Sequence, residues 1–213
     1  METMVMFWID LFRKKKIKND GEIASTRVIK ITNKVIAKVL SGSDTEYMYR
    51  SFKDIPGLCP HCRSRLEIIP NLNYSVKKTN ADLLCTYDSY FIASEKFKRF
   101  CEENGYKNLK FVRLNRSNFY SFIPLGVFYT DISRNQFTKL GEWCDYCKTY
   151  TTITKAIFKR KDFILQKNDF ILGTDNYWGS FEFKTPEIII GTETMRKMKD
   201  FGLKGLGFHD VYE

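Results

Sequence analysis

Four of the six cysteines stand in two C-x-x-C pairs, Cys59 with Cys62 and Cys144 with Cys147. Thiolate sulfur is a common zinc ligand, and a structural zinc site has four ligands at the corners of a tetrahedron. One C-x-x-C turn places two sulfur atoms along one edge of that tetrahedron, and a second turn supplies the opposite edge. The spacing therefore predicts a single structural Zn²⁺ bound by all four of these cysteines.

The two pairs are separated by 81 residues, which exceeds the spacing of compact zinc ribbons. The predicted site would therefore close a long loop. Two alternatives stay open: the cysteines could be buried reduced thiols without metal, or one pair could be a thioredoxin-like redox site. The redox alternative requires a C-x-x-C that opens a helix after a strand, whereas Pro56 and Gly57 before the first pair indicate a loop.

Other side chains near the pairs have predicted supporting roles. Four thiolates around Zn²⁺ leave a net negative charge, which basic residues directly after the pairs could offset. These residues are Arg63, Arg65 and Lys148. Cys85 and Cys101 have no C-x-x-C partner, so core packing is expected for both.

The sequence contains no recognisable catalytic motif. A catalytic zinc keeps an open coordination position beside a general base, and four cysteine ligands leave none open. No H-E-x-x-H, G-x-S-x-G or P-loop motif occurs, and the two histidines, His61 and His209, are far apart. We therefore expect a protein without enzymatic activity, with no catalytic residues and no cofactor besides the metal.

An internal repeat is the clearest pattern along the chain. Its two copies, residues 90–111 and 188–208, align with a gap of one residue. Each copy predicts a strand, a helix and a strand, because a β-type apolar run precedes a helical apolar face and an alternating segment follows it. The residues that predict the helix boundaries are Ser94 and Thr192 as N-caps, and Gly105 and Gly202 as left-handed C-terminal residues.

Each copy of the repeat follows one C-x-x-C pair, so the order along the chain is cysteine pair, repeat copy, cysteine pair, repeat copy. This order predicts a duplication within a single compact domain over residues 1–213, with halves at approximately 50–117 and 136–213. The predicted fold class is α+β, with two duplicated strand–helix–strand modules flanking the four-cysteine zinc site. An N-terminal segment is expected to form a strand at Arg27–Thr32 and then a helix that ends at a Ser41–Asp44 turn.

The charge distribution and the apolar segments of the chain predict where in the cell the protein is located. The 213 residues carry a net charge of +10, and the densest basic run is Arg13–Lys18. The apolar stretch Met4–Phe12 precedes that run, which is the reverse of a secretory signal. No segment reaches the roughly 18 apolar residues of a membrane span. Together with the low cysteine density, these features predict a cytoplasmic protein whose thiols stay reduced.

Several stretches carry a family resemblance, and in chain order they are Leu58–Cys62, Phe91–Phe111, Glu142–Cys147 and Pro186–Val211. With them the chain resembles the bacterial double-CXXCG motif family over roughly residues 45–213. The family has Gly after the second cysteine of each pair, where this chain has Arg63 and Lys148. Because Gly adopts positive φ at little cost, the two turns are expected to be strained or differently shaped.

The resemblance implies a small zinc-bearing bacterial protein without established enzymatic activity, similar to immunity proteins that are paired with polymorphic toxins. We therefore expect a zinc-stabilised immunity protein that neutralises a cognate protein toxin by direct binding. The positive net charge suggests an acidic toxin surface. The alternative is a zinc-stabilised nucleic-acid-binding protein that uses its basic surface and aromatic side chains, and an uncharacterised enzyme ranks last. The sequence does not determine the oligomeric state.

Overall fold

The computed structural model describes residues 34–133 and 138–213. The predictions for Met4–Phe12, for the basic run Arg13–Lys18 and for a strand at Arg27–Thr32 lie outside these ranges. Within them the chain forms two α-helices and a large curled β-sheet. The mixed α+β class is therefore confirmed.

Both helices are short. They are α1, Glu95–Glu103, and α2, Thr192–Asp200, and in the described ranges no helix has the length and apolar character needed to cross a membrane. Single 3-10 turns occur at Phe52–Asp54 and Phe181–Phe183. The strands are β1 Val35–Thr45, β2 Leu83–Thr86, β3 Phe91–Ser94, β4 Leu109–Arg113, β5 Phe119–Pro124, β6 Val127–Phe128, β7 Thr138–Leu140, β8 Trp143–Cys144, β9 Thr149–Tyr150, β10 Thr152–Lys155, β11 Ile157–Phe158, β12 Ile171–Ser180, β13 Thr185–Ile190 and β14 Leu206–Tyr212.

One sheet contains twelve of these strands, and β8 and β9 form a separate hairpin. The strands of the twelve-stranded sheet follow the order β4-β5-β3-β2-β1-β13-β12-β10-β7, β6 and β14 pair with strands of this series, and β11 pairs with β14. Strand β1 pairs antiparallel with β13 and β14, and parallel with β2. It therefore joins strands from both predicted halves in one hydrogen-bonded sheet.

The helix predicted to end at Ser41–Asp44 is wrong, because these residues lie inside the eleven-residue strand β1. The β-branched side chains early in β1 favour an extended backbone. Hydrogen bonding along both edges of the strand then outweighs the near-helical spacing of its apolar residues. Gly42 is needed where β2 passes, because a Cβ at this position would lie 2.6 Å from the Leu84 carbonyl carbon.

The two segments of the predicted repeat form β3–α1–β4 and β13–α2–β14. In each, an antiparallel third strand lies between the outer two, β5 in the first and β1 in the second. Ile92 and Val112 pair with the same residue of β5, from its two sides. In the second unit, Ile189 and His209 likewise pair with the same residue of β1. Equivalent positions are thus 97 residues apart at both places (189 − 92 and 209 − 112). The origin of the two units in a duplication stays a prediction.

The helix starts differ between the two units. The predicted N-cap of α1 is confirmed, because Ser94 Oγ accepts a hydrogen bond from the Phe97 amide at 3.1 Å. The predicted N-cap of α2 is wrong: Gly191 holds that position, and Thr192 is the first helical residue. Only glycine fits there, because a Cβ would lie 1.9 Å from the Asn168 carbonyl oxygen.

The two units resemble each other more closely at the C-terminal ends of their helices and in the way these helices pack. Gly105 and Gly202 follow the helices with φ of +69° and +72°, as predicted. Both helices bury their apolar faces in one core, where the rings of Phe100 and Phe201 lie 5.3 Å apart. Cys101 is buried in that core, as predicted for a cysteine without a C-x-x-C partner.

Candidate metal centre

Each C-x-x-C pair lies in a tight turn with the same main-chain hydrogen bond. In the first turn the Cys59 carbonyl accepts from the Arg63 amide at 2.9 Å, and the Cys59 amide donates to the Ser64 carbonyl at 2.8 Å. In the second turn, at the tip of the β8–β9 hairpin, the Cys144 carbonyl accepts from the Lys148 amide at 2.9 Å. The two cysteine pairs are therefore presented by closely similar backbones.

Both turns place a non-glycine residue in the left-handed region. Arg63 has φ of 60° and Lys148 has φ of 54°. This backbone conformation costs an L-residue roughly 1–2 kcal/mol. Of the two outcomes expected from the missing glycines, the structure has the strained turn and not a differently shaped one.

The four cysteines converge. Cys59 Sγ lies 3.9 Å from Cys144 Sγ, and Cys62 Sγ lies 3.6 Å from Cys147 Sγ. All four sulfur atoms lie within 4.8 Å of one another. With a metal–sulfur bond of about 2.3 Å, the sulfurs of a tetrahedral zinc site stand about 3.8 Å apart. The cluster therefore has the ligand type and the size to hold one metal ion.

Corresponding residues of the two turns face each other across the centre. Cys59 faces Cys144 and Cys62 faces Cys147, and both pairs are separated by 85 residues in sequence. The same offset relates His61 and Tyr146, whose rings stack with centroids 4.2 Å apart and planes at 30°. The two turns are thus related by a local pseudo-two-fold arrangement, and His61 is outside the group of clustered ligand residues.

Two of the four thiols differ widely in pKa. Burial opposes the charge on Cys62, but hydrogen bonding from Ser64 and from the neighbouring thiols lowers its pKa to about 6. Burial, together with the hydrogen bonds and charge of its neighbours, raises the pKa of Cys147 to about 12. One thiol therefore ionises readily while another resists, and a bound cation is the means by which all four could be thiolates.

A buried lysine lies against the second turn. Lys184 is 1% exposed, and its Nζ donates hydrogen bonds to Thr149 Oγ1 at 3.0 Å and to the Tyr150 carbonyl at 2.5 Å. No carboxylate within the described ranges forms an ion pair with it. Burial lowers the pKa of Lys184, whereas the nearby Cys147 and Cys62 raise it.

A buried ammonium group requires a compensating anion. Cys147 and Cys62 are the groups whose negative charge favours the protonated form of Lys184. The lysine is therefore matched to a centre that carries net negative charge, as four thiolates around a divalent cation do. Lys184 was not predicted from the sequence, since a lysine between Phe183 and Thr185 carries no local signal that it is buried.

The basic residues that were expected to offset this charge bond to other groups. Arg63 Nη2 donates to the Phe52 carbonyl at 2.9 Å. Lys148 pairs with Asp145 at 3.6 Å, with 69% of its side chain exposed. The exposed pair of Lys148 contributes little to stability, and the partners that the structure shows for both side chains are groups other than the four cysteines.

Arg65, which follows the first turn in sequence, is buried. Its Nη2 donates to the Asp88 carbonyl at 2.7 Å, and its guanidinium carbon lies 4.4 Å from the centre of the Tyr90 ring. The Asp88 carboxylate in turn accepts from the amides of Met48 and Tyr49. Arg65 therefore anchors the first turn to the loop between β2 and β3.

One backbone link joins the segments that follow the two turns. The Phe181 carbonyl accepts from the Arg65 amide at 3.1 Å, and the Phe181 amide donates to the Thr151 carbonyl at 2.8 Å. Phe181 has φ of 48°, so the chain bends sharply between these two bonds. This bend also sets the start of β13, the strand that begins just after Lys184.

In comparisons with known proteins, no family model matches this chain and no curated protein is significantly similar to it. Its function must therefore be inferred from the four cysteines and from the side chains that surround them.

Replacing Lys184 with Met should lower the affinity for zinc by about tenfold or more, because a buried positive charge beside the thiolates is removed. The same change should leave the metal-free protein at least as stable, since the cost of burying an ammonium group is removed and, without metal, Cys62 is the thiol that most readily supplies a compensating negative charge. Competition with a chelator measures the first quantity, and denaturant unfolding without metal measures the second.

Lys107→Met, at an exposed lysine outside the centre, is the matched control and should change neither quantity. A Lys184→Met protein with unchanged zinc affinity would show that the lysine only fills space.

The strained second turn predicts a reversed preference between alanine and glycine. Lys148→Gly should be more stable than Lys148→Ala by about 1 kcal/mol, because only glycine adopts the positive φ without strain. At Lys110, an exposed residue in β4, the order should be the usual one, with alanine more stable. Chemical denaturation of the four metal-loaded variants tests this, and the usual order at both positions would contradict the turn geometry.

Proposed function

We propose that Cys59, Cys62, Cys144 and Cys147 bind one zinc ion, and that the zinc-stabilised chain is a non-enzymatic binding protein. The observation that carries the proposal is the convergence of four sulfur atoms within 4.8 Å. Four thiolates in a tetrahedral arrangement are the typical ligand set of a structural zinc site. Zinc is favoured over calcium or magnesium because those ions select oxygen ligands.

The proposed ion has a mechanical role. It joins the segment that precedes β2 to the β8–β9 hairpin, across the 85 residues that separate the paired cysteines. A ligand that binds the folded chain and not the unfolded chain stabilises the folded state by its free energy of binding. Because a preformed site rarely exists in an unfolded chain, zinc binding and folding of this region should be coupled.

We infer further that the protein is a bacterial immunity protein that neutralises a cognate toxin by direct binding in the cytoplasm. The resemblance to the double-CXXCG motif family supports this function, as does a metal centre that serves stability. Six free thiols suit a reducing compartment. Exposed aromatic side chains on the second turn, Tyr146 at 62% and Trp143 at 49%, suit protein recognition.

Metal analysis of the purified protein tests the zinc proposal. The wild type should contain about one zinc per chain, and Cys144→Ser should lose the metal together with much of its cooperative unfolding. Cys85→Ala, which alters a cysteine outside the cluster, should keep the full zinc content. A full zinc complement in Cys144→Ser would refute the site, and bound iron in place of zinc would correct the identity of the metal.

The immunity function requires a cellular test. Bacteria that express a candidate cognate toxin should survive when this chain is co-expressed, and the two proteins should co-purify as a complex. Cys144→Ser should protect less well, because the scaffold that presents the binding surface is weakened. Zinc-loaded, folded protein that neither binds the toxin nor protects cells would reject the immunity function while leaving the metal centre intact.

A further inference from the structure

A shallow groove lies between the start of β1 and the irregular segment that leads into β12. Its volume is about 760 Å³. Six of the residues that line it define its chemistry: the lysines Lys34, Lys159, Lys161 and Lys167, and the apolar residues Phe163 and Ile164. We call this feature the lysine groove.

The lysine groove is strongly biased in charge. Glu213 is the one acidic residue among the described residues that line it. In the described ranges, Lys34, Lys161 and Lys167 form no ion pair, and Lys159 Nζ is held by the Phe163 carbonyl at 2.8 Å. Uncompensated lysines in a concave surface focus a positive potential and attract an acidic ligand.

Apolar side chains line the groove together with the lysines. Ile164 is 80% exposed, more than any other large hydrophobic residue of the described chain. In sequence it lies between Lys161 and Lys167, which line the same groove. Val35, which is partly exposed, and Leu165, which is half-buried against the core, also line the groove. Exposed aliphatic side chains of this kind mark a surface that a partner can cover.

The aromatic ring of the groove is not free to stack on a base. Phe163 packs edge-to-face against Phe128, with centroids 5.3 Å apart at 77°, and against Tyr129, with centroids 5.5 Å apart at 67°. Single-stranded nucleic acid is bound by exposed ring faces along a basic channel. Lysines with aliphatic side chains between them match an acidic peptide better than a nucleic acid.

We propose that the lysine groove binds an acidic peptide segment of a protein partner, with glutamate or aspartate against the lysines and a leucine-like side chain against Ile164. This assignment rests on the proposed binding function and extends it, since it names the face and the chemistry of the partner. It does not depend on the metal or on the identity of the toxin.

The test uses the zinc-loaded full chain and a fluorescent twelve-residue peptide in which leucines are placed among glutamates, with binding followed by fluorescence anisotropy at low salt. Lys161→Glu/Lys167→Glu should weaken binding by about tenfold or more, because two attractive charges become repulsive. Ile164→Ser should weaken it several-fold, and a peptide without leucine should bind the wild type less tightly.

The matched control is Lys107→Glu/Lys110→Glu, which changes two exposed lysines outside the groove and lowers the net charge by the same four units, from +10 to +6. This control should bind the peptide nearly as well as the wild type. Equal losses in both double variants would mean that the peptide senses only the overall charge, and that outcome would overturn the proposal.

Two further outcomes would also overturn the proposal. One is the absence of peptide binding to the wild-type chain. The other is tighter binding of an oligothymidylate of the same length that is lost in Lys161→Glu/Lys167→Glu, which would assign the groove to nucleic acid. Circular dichroism of every variant establishes that the losses are not caused by unfolding.

Discussion

The structure around the cysteines depends on an electrostatic constraint: four thiols within 4.8 Å cannot all carry negative charge unless a cation lies among them. The sharply different pKa values of Cys62 and Cys147, about 6 and about 12, express this constraint. The positive charge of Lys184 offsets part of the repulsion between thiolates, and this lysine is buried without a carboxylate partner in the described ranges. The proposed zinc would satisfy the remainder and would hold together two turns that are distant in sequence.

The backbone around the centre is shaped to meet that constraint. Arg63 and Lys148 accept positive φ so that both turns can present their sulfurs in the same way. Phe181, also in the left-handed region, hydrogen-bonds to the segments that follow both turns. Arg65 fixes the first turn to the loop that precedes β3. Strain at several residues is tolerated together when surrounding interactions determine the conformation more strongly than local preference does.

Local signals predicted the structure correctly where the deciding contacts are close in sequence. The Ser94 hydroxyl caps an amide three residues away, and glycines with positive φ end both helices. The same type of reasoning failed at Thr192, because the deciding contact is the approach of Asn168 to Gly191. It also failed for the first half of β1, where the helical spacing of the apolar residues gives way to pairing with β13 and β14. In both failures the competing interaction comes from a distant part of the chain.

The sequence by itself determined which cysteines could share a metal, because the C-x-x-C spacing is a property of a few neighbouring residues. It also determined the mixed α+β class, through apolar patterns within single elements. Only the tertiary structure decided that Lys184 is the buried cation beside the sulfurs, and that four lysines line a groove with Ile164. A lysine has the same local sequence signature whether it is solvated or buried. Its role follows from which distant groups the fold brings within a few ångströms of its charge.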